Sequence, residues 1–118
     1  MQVVAKHDFI KGSSNSLLRS LLEQQPMYGY QIVKELEARS HGYFKFKEGT
    51  LYPALHRLEK AGLITGKWEM LPNGRQRRYY YITAKGQAEL TKEKVHWQDF
   101  LVAVKMILQP EPSRVWKG

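Results

Sequence analysis

The sequence predicts a mostly α-helical chain with one small β-hairpin. The element order is that of a winged helix-turn-helix plus one long C-terminal dimerisation helix. Three observations predict this class. Apolar residues recur every three to four positions in three successive stretches before residue 61. Between residues 63 and 82 the period switches to two on either side of an Asn-Gly pair. From residue 84 a helical period returns and runs to about residue 108, longer than a small domain needs for its own core. Residues 8–83 are thus expected to form the winged unit, 84–108 the dimerisation helix and 109–118 a flexible tail.

Each element has a local reason. Asp8 is placed to cap a first helix running to about Gln25, with Phe9, Leu17, Leu18, Leu21 and Leu22 on its buried face. Gly12 and the serines and asparagine beside it weaken the first two turns. Pro26 ends this helix, because a residue before proline avoids the helical region. A second helix covers about Tyr28 to Arg39, its apolar stripe being Tyr28, Ile32, Val33 and Leu36. Ser40-His41-Gly42 stops it. Tyr43 to Lys47 alternates aromatic and basic residues and reads as an extended connector. A third helix covers about Gly49 to Lys60, with Leu51, Leu55 and Leu58 inward. Pro53 argues for a start near Thr50, where its missing N–H costs least. Ala61-Gly62 closes the helix with a residue able to turn left-handed. Strands are expected at Leu63–Met70 and Arg77–Ile82, joined through Leu71 to Gln76. Thr83 then caps the last helix, Ala84 to about Leu108, which stops before Pro110, with Pro112 marking a frayed tail. There are no internal repeats and no low-complexity segments.

Composition narrows the function. A chain of 118 residues holds one domain with room for an arm. It has no cysteine, which excludes disulfides, thiolate zinc sites and a cysteine nucleophile. No apolar run approaches the roughly 20 residues a membrane span needs. The N-terminus lacks a signal-peptide apolar region, so a cytoplasmic address is expected. His7, His41, His56 and His96 are scattered without metal-ligand spacing, and no phosphate loop or nucleophile elbow is present. Ser13 and Ser14 have no neighbouring base in sequence. Neither catalytic residues nor a metal or cofactor is expected, and the chain does not read as an enzyme. The formal net charge is +8, and residues 45–79 hold eight Lys and Arg against three Asp and Glu. Such a balance favours a polyanion, double-stranded DNA foremost.

Helix, helix, helix and basic hairpin would set the third helix against a major groove. Its outward positions are expected at Thr50, Pro53, Ala54 and Arg57. Small residues there permit close approach, and Arg57 can reach guanine or a phosphate. Lys45 and Lys47 lead into the helix start, where the dipole also favours phosphate. The hairpin tip offers Arg75, Arg77 and Arg78, and alternation puts Arg75 and Arg77 on one face and Arg78 on the other. Winged helices also serve protein contacts. A protein-interaction module or a nonspecific nucleic-acid binder therefore stands as the alternative.

Met27 to Ile32, Glu48 to Glu59, Gly62-Leu63-Ile64, and Gly74 to Thr83 followed by Gly86 resemble the PadR family of bacterial transcriptional regulators. The resemblance covers about residues 13–86. The Gly-Thr-Leu-Tyr-Pro-Ala-Leu run and the Arg-Arg-Tyr-Tyr run are its specific parts. It implies a dimeric winged-helix DNA-binding protein, usually a repressor, of the small subgroup with one C-terminal helix. Some members of that subgroup bind aromatic drugs and others respond to phenolic acids. By this resemblance Thr50, Tyr52, Pro53 and Arg57 match DNA-facing positions, and Asn73, Gly74, Arg75 and Arg77 match the wing. Tyr52 reads equally as a packing aromatic. Gly29 and Tyr30 read as structural, a tight helix entry and a packing residue. Tyr79, Tyr80 and Tyr81 read mostly as strand and core residues.

In the last helix Leu90, Trp97 and Val104 fall seven apart, and Lys94, Leu101 and Leu108 make a companion row. Val95, Phe100, Val102, Ala103, Met106 and Ile107 extend the apolar surface off that seam. A partner subunit is the economical cover, so Leu90, Trp97, Leu101, Val104 and Leu108 are the expected homodimer interface, with the first helix a candidate to complete it. The helix would be about 37 Å long, enough to hold two winged units at major grooves about 34 Å apart. A membrane-surface helix is the competing reading, against which Asp99 and Lys105 interrupt the apolar zone. Two Trp97 indoles meeting near the two-fold axis would make a sandwich for a small flat aromatic effector. The competing reading is that Trp97 fills the dimer core. Trp68 is expected to pack under the wing.

Overall fold

Leucines on one stripe of each helix converge on a core that also receives one face of a small sheet. The computed structural model describes residues 6–109, with side chains from Ser13 onward. The elements are α1 (Lys6–Gln24), β1 (Met27–Tyr28), α2 (Gly29–Arg39), α3 (Glu48–Lys60), β2 (Ile64–Met70), β3 (Gln76–Ile82) and α4 (Ala84–Leu108). Leu18, Leu21 and Leu22 of α1, Ile32 and Leu36 of α2, and Leu51, Leu55 and Leu58 of α3 are all buried. Ile64 and Tyr80 close the core from the sheet, and Phe46 plugs it from the connector. That connector alternates as expected, with Phe46 inward and Tyr43, Lys45 and Lys47 exposed.

The structure departs from the expected elements in several places. Asp8 lies inside α1, not before it, because the helix starts at Lys6. The side chain of Phe9 and the whole of residues 110–118, with Pro110 and Pro112, lie outside the described residues. Tyr28 is not in α2. With Met27 it forms a two-residue strand against Tyr79 and Tyr80 of β3, so the sheet has three antiparallel strands in the order β1-β3-β2. Helix α3 starts at Glu48, which puts Pro53 in its second turn. The missing N–H is tolerated because the carbonyl it would have reached, on Gly49, is at an exposed position. Tyr30 is exposed, not packed.

Helix α4 is anchored at its first turn. Thr83 accepts from Gly86 N at 3.0 Å through its hydroxyl oxygen, the expected cap, and donates from the same hydroxyl to the Gly62 carbonyl at 2.7 Å. Lys85 Nζ donates to the Ala61 carbonyl at 3.0 Å. Gly62 takes a φ of +77°, and Leu63 N then reaches back to the Leu58 carbonyl at 2.9 Å, ending α3. Gly86 is buried against the Leu63 carbonyl, and a Cβ there would run into that oxygen. The obstacle is backbone and cannot swing aside. Gly86→Ala is therefore expected to destabilise folding by about 1–3 kcal/mol, read as a lower urea midpoint at unchanged m-value. Stability equal to the parent would show that α4 docks less closely.

Candidate nucleic-acid interface

The face of α3 turned from the core carries Thr50, Tyr52, Pro53, His56, Arg57 and Lys60, all exposed. Ala54 is not among them. It is buried at 1%, its small side chain letting α3 approach the core instead of a ligand. Tyr52 packs against a neighbouring helix and is exposed at once. Its hydroxyl lies against Gly29 at the start of α2, where a Cβ would collide with it, yet the residue is still exposed. Gly29 thus permits the close crossing of α2 and α3. Lys47 is the N-cap of α3, with extended backbone (φ −99°, ψ 165°) and no side-chain capping bond. Its ammonium is exposed beside the helix N-terminus, where unpaired backbone donors and the dipole favour an anion.

The hairpin tip is built by its own backbone. Leu71 N donates to the Arg75 carbonyl at 2.7 Å and Gly74 N to the Leu71 carbonyl at 2.9 Å. Gly74 has φ +83°, and Asn73 Oδ1 accepts from Arg75 N at 3.0 Å. Asn73 and Gly74 are exposed and shape the turn, while the Arg75 side chain projects from it.

The neighbouring arginines are committed elsewhere. The Arg77 guanidinium lies 3.9 Å from the centre of the Tyr28 ring, and Tyr28 packs edge-on against Tyr79 at 5.6 Å. Arg78 projects from the opposite face, toward α3, where it donates to Glu59 at 2.9 Å. Glu59 also accepts from Gly66 N at 3.3 Å, so one carboxylate pins both strands of the wing to α3. The expected split between Arg77 and Arg78 is therefore present, but Arg75 lies outside the strand. Trp68 is paired across from Arg78 and is 63% exposed; it does not pack under the wing. Among the described residues no carboxylate pairs with Lys45, Lys47, Arg57, Lys60 or Arg75. Lys60 was not singled out from the sequence. Basic residues are common in the last turn of any helix, but its position three after Arg57 and seven after Pro53 marks the same face.

The arm begins inside the domain and ends outside it. Leu90 is fully buried by its own chain, against the expectation that it meets a partner. Lys94 does not break an apolar row; it pairs with Glu23 of α1 at 2.5 Å. From Val95 onward every residue to Gln109 is exposed except the half-buried Val104, and Ile107 reaches 79%. Trp97 and Phe100 pack edge-to-face at 5.9 Å on the rim of an apolar groove of about 620 Å³. Leu17, Tyr43, Phe44, Leu90 and Leu101 line it, with Ser16 and Lys94 at its wall. Among the described residues no helix is long and apolar enough to cross a membrane.

Residues 17–92 match the transcriptional regulator PadR-like family. A transcriptional regulator of Mycobacterium tuberculosis is 41% identical over 68 residues, 58% of this chain and 60% of that protein. A solved transcriptional regulator from Clostridium thermocellum is similar at a TM-score of 0.79 and 29% identity, covering 91% of this chain and all of that one. A PadR-like transcriptional regulator from Bacillus cereus is similar at a TM-score of 0.77 and 33% identity, covering 87% of this chain and 98% of that one.

Proposed function

The chain belongs to the PadR-like family of transcriptional regulators, and from that premise we propose that it is a sequence-specific repressor binding double-stranded DNA in the cytoplasm as a homodimer. The observation that carries this reading is the set of exposed cations on α3, its entry and the hairpin tip that have no carboxylate partner among the described residues. Here Thr50, Tyr52, Pro53 and Arg57 meet the major groove, with Arg57 reading a base edge. Lys47 and Lys60 take phosphates beside them, and the tip at Asn73, Gly74 and Arg75 reaches the flanking backbone or minor groove. Arg77 serves through its stack on Tyr28 as much as through contact.

Dimerisation through α4 is supported by Trp97, Phe100, Leu101 and Leu108, whose apolar surface one chain leaves uncovered. The groove beside Trp97 supports a small aromatic effector that releases the repressor from DNA.

A gel shift on DNA upstream of the protein's own coding sequence, with excess nonspecific competitor, tests the reading. A shift that competitor abolishes would favour the nonspecific binder, and no shift at all the protein-interaction module. On the cognate site Arg57→Ala is expected to cost roughly 1–3 kcal/mol and to relax preference at one base position. An equal loss on random DNA would reassign Arg57 to a phosphate.

Leu101→Asp is expected to bury a charge in each half of the interface, at several kcal/mol per site. Sedimentation should then show monomer or aggregate, and a monodisperse dimer would refute the seam.

For the effector, a planar aromatic compound should quench the emission assigned to Trp97 by Trp97→Phe and lower operator affinity together. Quenching with unchanged affinity would make the groove a binding site without a regulatory role.

A further inference from the structure

Arg19 of α1 carries a guanidinium at 1% exposure. Its Nε donates to the Asn15 carbonyl at 3.1 Å and its Nη1 to the Gly86 carbonyl at 3.2 Å. Its Nη2 lies 2.5 Å from both carboxylate oxygens of Glu93. Ser16 Oγ, one turn earlier on α1, also donates to Glu93 at 2.5 Å. Burial pushes the Glu93 carboxyl upward, but the bonds from Arg19 and Ser16 and the Arg19 charge outweigh it and hold it below the usual carboxylate range.

Gly86, Leu90 and Glu93 form one stripe of α4, and one guanidinium bridges its two ends. A single buried leucine would fix where α4 touches α1 but would let it tilt. Two points two turns apart, joined through directional charged hydrogen bonds, fix its direction as well. Among the described residues no ion pair or side-chain hydrogen bond ties α4 to α1 after Lys94. The last 14 residues of α4, Val95 to Leu108, project about 21 Å at 1.5 Å per residue. A tilt of roughly 10° at the joint would displace the far end by about 4 Å, comparable with the rise of one base pair.

We propose that Glu93, clamped by Arg19 and Ser16, is a positioning residue that sets the angle between arm and reading domain, and with it the half-site spacing the dimer accepts. The inference rests on the dimeric DNA-binding reading above. An ion pair with one buried partner, Arg19, and one half-buried partner, Glu93, is weak support for stability as such, and geometric specificity is the better-attested use of such pairs.

The test takes an operator selected from a random pool with the wild-type protein, and varies the half-site separation by one and two base pairs each way. Wild type should lose affinity on the order of tenfold away from its preferred spacing, since register is set by rigid geometry. Glu93→Gln should remain a dimer by sedimentation and bind nonspecific DNA as before. Its spacing optimum should broaden or move, with discrimination reduced to about threefold or less. Should that variant fail to fold because Arg19 is left unpaired, the double variant Arg19→Met, Glu93→Gln leaves no buried charge and carries the same expectation. A folded, dimeric double variant with the wild-type spacing profile would overturn the proposal. A monomeric wild type would instead remove the dimeric reading, and this inference with it.

Discussion

The Leu63 carbonyl lies where α3 has just ended, β2 is about to begin, β3 has closed and α4 starts. It accepts from Thr83 N at 3.1 Å, and the backbone of Gly86 presses on it with no room for a side chain. Leu63 N meanwhile closes α3 on the Leu58 carbonyl. Three parts of the fold therefore share one reference point: the exposed helix, the wing and the arm. The glycine is required by that contact, since any Cβ would part the two backbones.

Charge is divided by use. The middle third of the chain is the most basic, yet some of its cations are consumed in holding the wing. Arg78 is paired with Glu59, Arg77 stacks on Tyr28, and Lys67 lies over Tyr81, whose hydroxyl donates to Glu69. Each contact is only part-buried and individually modest. Together they brace both faces of the hairpin, so its tip carries Arg75 on a stiff mount. The remaining cations lie on α3 and its entry. A polyanion docked there would meet charges that need not abandon an internal partner first.

Most of the fold was legible because its signals are periodic or chemical. The Leu51, Leu55, Leu58 stripe, the Asn73-Gly74 turn and the Thr83 cap each dictate local geometry with little help from tertiary structure. The misreadings occur where local sequence does not decide. Strand β1 has two residues and hence no period, and Tyr28 fits a helix stripe as well as a strand. Ala54 is small, and smallness cannot say whether a helix approaches DNA or its own core. The hydrogen bond that Pro53 forgoes costs less where the opposing carbonyl, on Gly49, is open to water, which sequence position alone does not show. Leu90 falls in heptad step with Trp97, but seven-residue spacing does not distinguish a partner's surface from the chain's own. Spacing and charge reach Lys47, Thr50, Pro53, Arg57, Arg75 and Arg77 among the candidate DNA-facing residues, and the resemblance adds Tyr52, Asn73 and Gly74. Lys60 and the bracing role of Glu59 needed the three-dimensional neighbours.

Helix α4 changes character within one turn, and the change constrains how any switch could work. Up to Lys94 its inward residues are satisfied by α1: Leu90 by packing, Glu93 by Arg19, Lys94 by Glu23, while Gln87 donates to the same Glu23. Beyond it, Phe100, Leu101, Met106, Ile107 and Leu108 stand half or more in solvent, and burial would stabilise each by at most about 1.5–3 kcal/mol. Covering that half is thus strongly favourable, while moving the first half is costly. The groove sits across the boundary. Leu90 and Lys94 on its wall belong to the fixed part, Trp97 and Leu101 to the uncovered part, and Ser16 is itself a donor to Glu93. Whatever fills the groove, a second subunit or a flat ligand, would touch the joint and the uncovered apolar surface at once. Ser16 and Leu90 belong both to the groove and to the joint, so occupancy there bears on the contacts that hold α4 against α1.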